Sequence, residues 1–151
     1  MTIESFSHNE GAQLVDKKIK EQMLNVLEST KYKITEGCAD ELRKVILAQL
    51  KSFGWSDDFK LDANSQISLT SSIDDHVLCF QTGNMSRFYA DLLKLQYVFT
   101  NRKAKAAFYL IPSKEAAKKM GSNIAHFDRF KSEITMFKEI ITIPILVIGL
   151  N

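Results

Sequence analysis

The chain has 151 residues, 45% of them apolar, and only two prolines, which suits one well-buried domain and is too little for two comfortable ones. Twenty basic against eighteen acidic side chains leave a formal net charge of +2, so composition excludes a strongly basic polyanion binder and leaves any such surface to a local cluster. Cys38 and Cys79 have no CxxC spacing and no neighbouring Cys/His set, and that excludes a disulfide framework or a closed zinc site.

No apolar run approaches the roughly 20 residues that span a bilayer, and MTIESFSHNEG has no apolar signal core. The expectation is a soluble, cytoplasmic protein that meets no membrane. From about Ala12 to Glu28, Leu14, Val15, Ile19, Met23, Val26 and Leu27 recur at three-to-four spacing between lysines and glutamates, predicting an amphipathic helix. A second helix is predicted from about Cys38 to Phe53, with Leu42, Val45, Ile46, Leu50 and Phe53 on one face and Gly54 as its stop.

The period then changes. "QISLT" at 66–70 and "HVLCFQ" at 76–81 read as an antiparallel hairpin around a polar "SSIDD" turn. Gly83 breaks the second strand, Asn84 can cap, and a helix from 85 to 99 carries Met85, Phe88, Leu92, Leu95 and Phe99 on one stripe. "AKAAFYLI" at 104–111 reads as a strand buried on both faces and ended by Pro112. Ser113 caps a short helix closed by Gly121, a further helix runs from about His126 to Phe137, and "IPILVIGL" is the last strand. Strand, helix, strand implies a parallel pair. The fold class expected is therefore α/β, a mixed central sheet flanked by helices in a single domain over 1–151, with N-terminal helices at 1–54 and a core at 66–150.

"LCFQTGNMS" before a helix, then "AAFYLIPSKEAAKKM", "FDRF" and "ILVIGL", resembles the BamHI-type restriction endonucleases and the related BglII-type enzymes over residues 66–150. The resemblance implies the PD-(D/E)XK nuclease fold. In that family an aspartate on the first hairpin strand and a glutamate on the second bind magnesium, and a third residue two positions after the glutamate helps to position or deprotonate the attacking water. Magnesium favours hard anionic oxygen and lowers the pKa of bound water. Residues i and i+2 of a strand share a face, so the last two converge on one region.

The match departs from the family at these positions. The resemblance puts Ser68 at the aspartate, Cys79 at the glutamate and Gln81 at the third position, and none is a carboxylate. A thiolate is a soft ligand, and a buried thiol stays neutral. No cofactor is expected unless the chain is active, in which case the cofactor is magnesium and Asp74 or Asp75 is the candidate relocated acid. An acid beside Gln81 would mark that alternative.

By residue match, the family's DNA-facing positions become Asn84 and Ser86 at the helix start, and Ser122 and Asn123 after the "IPSKEAAKKM" helix. Asn can pair with base edges, whereas Asn and Ser at a helix start also serve simply as caps. Lys114, Lys118 and Lys119 are candidate phosphate contacts. The aromatic, apolar helix at 85–99 is the expected homodimer interface. Three functions follow: a nuclease-like protein without catalysis that keeps double-stranded DNA binding or an accessory role; an active magnesium-dependent type II deoxyribonuclease; and a protein-interaction module.

Overall fold

In the computed structural model, which describes residues 1–151, the chain opens with a strand, β1 (Ile3–His8), that the hydrophobic pattern had not revealed. Its burial is partial, as befits an edge strand, and it pairs antiparallel with the last strand of the chain. The residues before the first helix thus belong to the sheet.

The helix expected over 12–28 is two helices, α1 (Gly11–Leu14) and α2 (Lys17–Ser29). Asp16 breaks it: its carboxylate accepts the Ile19 amide at 3.0 Å and so caps α2. Gly11 lies so close to β7 (Ile145–Leu150) that an added Cβ would stand 2.1 Å from the Ile145 carbonyl. Only glycine permits that approach. Helix α3 (Ala39–Ser52) forms as expected, ending before Gly54 at φ 97°.

The expected hairpin is shifted. Ser68 and Leu69 form β3 (Ser68–Leu69), which pairs with β2 (Phe59–Lys60) in a separate two-stranded sheet. The first strand of the hairpin is β4 (Ser71–Ile73), from the residues expected to turn, and it pairs antiparallel with β5 (His76–Phe80). Two interactions explain this. Asp74 takes the left-handed conformation at φ 49°, confining the turn to Asp74 and Asp75. Ser71 is held in by a 2.6 Å hydrogen bond to the Ser56 carbonyl.

Helix α4 (Arg87–Thr100) leads to β6 (Ala106–Pro112), and α5 (Lys114–Met120) and α6 (Phe127–Met136) lead to β7. The main sheet has the order β1-β7-β6-β5-β4, parallel in its centre and antiparallel at both edges. Period-two alternation divides its side chains between two cores. Val77, Cys79, Tyr109 and Val147 face α4 and α6, whereas Leu78, Phe80, Phe108 and Ile148 face α2 and α3. Each fully buried Leu, Ile or Phe in these layers contributes about 1.5–3 kcal/mol. No helix is long and apolar enough to cross a membrane.

Two histidines are buried with the cores. His8 places Nε2 2.6 Å from the Ile141 carbonyl, and His76 accepts the Asp16 amide on Nε2 at 2.9 Å. His76 Nδ1 lies 3.0 Å from Asp75 Oδ1 without the alignment of a hydrogen bond. Burial lowers the pKa of both rings below 6.5, and for His76 the nearby Asp75 only partly offsets it. The unfolded chain therefore binds more protons than the folded one. Stability from these groups is complete above the unfolded value and is lost as pH falls through 6.5. The urea midpoint should be level above neutrality and decline from there towards pH 5; a midpoint rising over that interval would contradict the assignment.

Candidate functional site

At the C-terminal end of β5 the chain turns away from the sheet, and a cleft of about 950 Å³ opens there between α3 and α4. Its floor is Phe80 to Gly83. One wall carries Asp40, Arg43 and Lys51 from α3, the other Arg87, Asp91 and Lys94 from α4, and the segments at 56–58 and 68–70 close the end. Helices following parallel strands leave such a crevice at the carboxyl ends of the strands.

Asp91 is the buried acid of the cleft. Its Oδ2 accepts from the Gln81 amide at 2.6 Å and from the Tyr109 hydroxyl at 2.9 Å, while the Lys94 ammonium lies 3.4 Å from Oδ1. Tyr109 is fixed by stacking on Phe130, with centroids 4.2 Å apart and planes 13° apart. Gln81 turns its own oxygen to the Gly83 amide at 2.9 Å. Every polar atom of Gln81 and Asp91 that faces inward therefore has a partner. Burial, reinforced by Asp91, pushes the Tyr109 hydroxyl well above its ordinary range.

Cys79 lies just beneath, buried, and burial drives its thiol pKa well above the ordinary value, so it stays protonated. The ladder with β5 stops at Ser71, and Thr70, not Ser68, lies beside Cys79: its amide donates to the Leu78 carbonyl at 3.2 Å. Thr70 Oγ1 accepts the Phe80 amide at 3.1 Å. Ser68 lines the cleft from β3. The hairpin thus presents a hydroxyl and a neutral thiol where a divalent cation needs anionic oxygen, and no three His, Cys, Asp or Glu side chains converge anywhere to hold a metal. These residues do not fit magnesium.

Asp74 and Asp75 lie at the opposite end of β5, where Asp75 binds Lys105 at 3.0 Å. They are not beside Gln81. The acid beside Gln81 is Asp91, which sequence reasoning missed because it sits mid-helix among apolar residues. Its signal was an acid on the buried stripe of the helix, three residues after Phe88 and one before Leu92.

The four candidate DNA-facing residues come together although 38 positions separate the segments. Asn84 bridges Ile124, Met85 donates to the Asn123 carbonyl at 3.1 Å, and Ala125 donates to the Gly83 carbonyl at 2.9 Å. Asn84, Ser86, Ser122 and Asn123 are all exposed along this joined edge, beside the floor of the cleft. Asn84 Oδ1 accepts both the amide and the hydroxyl of Ser86, at 2.9 and 3.1 Å, so its side chain stabilises the turn before α4. Lys114 is exposed at the start of α5, beside β1 and Asn151. On α4, Leu93 and Tyr97 are exposed, and with Ile67 they line an apolar groove.

A family model described as restriction endonuclease BglII/BglIII matches residues 3–150. Among solved structures, the crystal structure of BglII complexed with a DNA 16-mer superposes with a TM-score of 0.91 at 10% identity, covering all of this chain and 78% of that one. Free BglII superposes with a TM-score of 0.79 at 11% identity, covering all of this chain and 80% of that one. No curated protein sequence matches the chain.

Removing the Asp91 carboxylate strands buried partners rather than an exposed ion pair. Asp91→Ala should lower unfolding stability by about 2–4 kcal/mol through the orphaned Gln81 amide and Tyr109 hydroxyl, and Asp91→Asn by less, since one acceptor oxygen remains. A urea midpoint for Asp91→Ala equal to that of the parent would show that the cluster is not formed.

Proposed function

The chain belongs to the BglII/BglIII family of restriction endonucleases, and on that premise we propose that it is a catalytically inactive member that retains double-stranded DNA binding. One observation carries this reading: the resemblance calls for carboxylates at Ser68 and Cys79, yet Cys79 is a buried thiol, Ser68 lies in β3, and the residue hydrogen-bonded to both neighbours of Cys79 is Thr70. The family usually uses magnesium. Without anionic oxygens to hold the ion against a phosphate, no bound water is activated. Binding is a separate matter, because the edge formed by Asn84, Ser86, Ser122 and Asn123 needs no metal to meet bases or backbone. The DNA 16-mer held by BglII supports duplex DNA as the ligand.

Asp91 supports a second reading, an active nuclease whose acid has moved onto the helix, since it lies 2.6 Å from the Gln81 amide. The Lys94 ammonium and the filled Oδ2 weigh against it, because a ligand to magnesium must give up those partners. The third reading, a protein-interaction module, rests on Leu93 and Tyr97. The same apolar surface suits a homodimer, in which each copy of α4 covers its twin.

Purified protein with supercoiled plasmid and magnesium or manganese should leave the DNA uncut while retaining a short duplex in a salt-dependent manner. Asn84→Ala should weaken that retention. Metal-dependent nicking that vanishes in Asp91→Asn would establish the second reading instead, and no duplex binding at any salt would leave the third. In sedimentation the chain should be dimeric at high micromolar concentration and Leu93→Glu monomeric; a monomeric parent removes the dimer.

A further inference from the structure

Four acids line the cleft, and so do four cations. Lys51 is held 2.8 Å from Asp57, and Lys94 lies 3.4 Å from Asp91. Asp40 and Asp58 are exposed at the mouth. Arg43 is held differently from the lysines. Its guanidinium donates to the Phe80 carbonyl and lies over the Phe80 ring, 5.3 Å from the centroid, so it is fixed by the end of β5 with no carboxylate bonded to it. Lys94 is one-quarter exposed towards the same space, and an ammonium has three donors, of which Asp91 takes one.

A metal in a nuclease cleft does two jobs, drawing in a phosphate and activating water. Fixed cations can do only the first. We infer that Arg43 and Lys94 form a metal-independent binding site for one phosphodiester, with the Asp91–Lys94 pair standing in for the carboxylate–metal pair. Asp91 positions Lys94, and Phe80 positions Arg43. A guanidinium already oriented by its backbone partner loses little freedom on taking up a phosphate oxygen. The negative charge of Asp91 does not repel the ligand, since Lys94 neutralises it and Gln81 and Tyr109 direct their donors to its buried oxygen. Arg87, exposed on the rim by Gly83, extends the basic track towards Asn84. Asp40 and Asp58 at the mouth limit how far a polyanion can pass beyond it.

This inference rests on the duplex-binding reading above, and the test separates the two. Anisotropy of a labelled duplex is measured in excess EDTA and in magnesium, for the parent, Lys94→Gln, Lys94→Arg, Arg43→Gln and the double variant Asp91→Asn/Lys94→Gln. The double variant removes both charges together, so it is not subject to the buried charge that Lys94→Gln alone leaves behind. The parent should bind in EDTA at least as tightly as in magnesium. Lys94→Gln, Arg43→Gln and the double variant should each lose about tenfold at low salt, with the salt slope reduced by about 0.9, the value of one phosphate contact. Lys94→Arg should restore binding. Parent-like affinity and slope in the double variant, or binding that needs magnesium, would overturn the inference. If the parent binds no duplex, the reading above fails, and inorganic pyrophosphate in EDTA then tests the cleft alone. A rise in melting temperature that the double variant lacks upholds the anion site, and no rise in the parent overturns it.

Discussion

A strand buried on both faces cannot carry an unpaired charge, and β5, an interior strand of the sheet, obeys that constraint at every residue from His76 to Phe80. In a metal-dependent nuclease, a carboxylate at such a position is tolerable because a cation answers it. Here Cys79 is a protonated thiol and Thr70 nearby is a hydroxyl bonded to the Phe80 amide, so neither requires a cation. The acid that the site does contain, Asp91, comes from the neighbouring helix together with its own cation, Lys94. Charge in the cleft is therefore balanced within the chain.

The same constraint explains why the cluster beneath the cleft is closed. Tyr109 projects from β6 through the apolar layer under α4 and α6, stacked on Phe130, and its hydroxyl donates to Asp91. Gln81 bridges from the end of β5 to the same oxygen. These three residues tie β5, β6 and α4 together beneath the cleft. A polar network that is fully satisfied rigidifies its surroundings, and here it fixes the floor of the cleft. Asn84 and Asn123 lie next to that floor because backbone pairing joins their two loops.

Much of the architecture was legible in the sequence. Ser113 capping α5, Gly54 ending α3 and the unbroken apolar runs of β6 and β7 are local signals that agree with the fold. The errors arose where tertiary contacts outweigh local pattern. Ser71 and Ser72 look like a turn, yet one hydrogen bond to Ser56 and pairing with β5 make them strand. Residues Ile3–His8 lack a clear apolar alternation because they lie at an edge, where one face needs little burial. In the site, Cys79 and Gln81 came from the resemblance, with strand period placing them on one face. Asp91 came from neither, because pairing between a helix residue and a strand end ten positions earlier depends on how the helix packs.

Fold and chemistry are thus separable in this chain. The restriction-endonuclease fold is kept, while on the reading proposed above the positions that would hold a metal are neutral. Titration calorimetry of the intact protein with magnesium and manganese tests that claim most directly. No binding heat in the millimolar range, with or without duplex DNA, is the result the account predicts. A stoichiometric site for either ion, lost in Asp91→Asn, would contradict it.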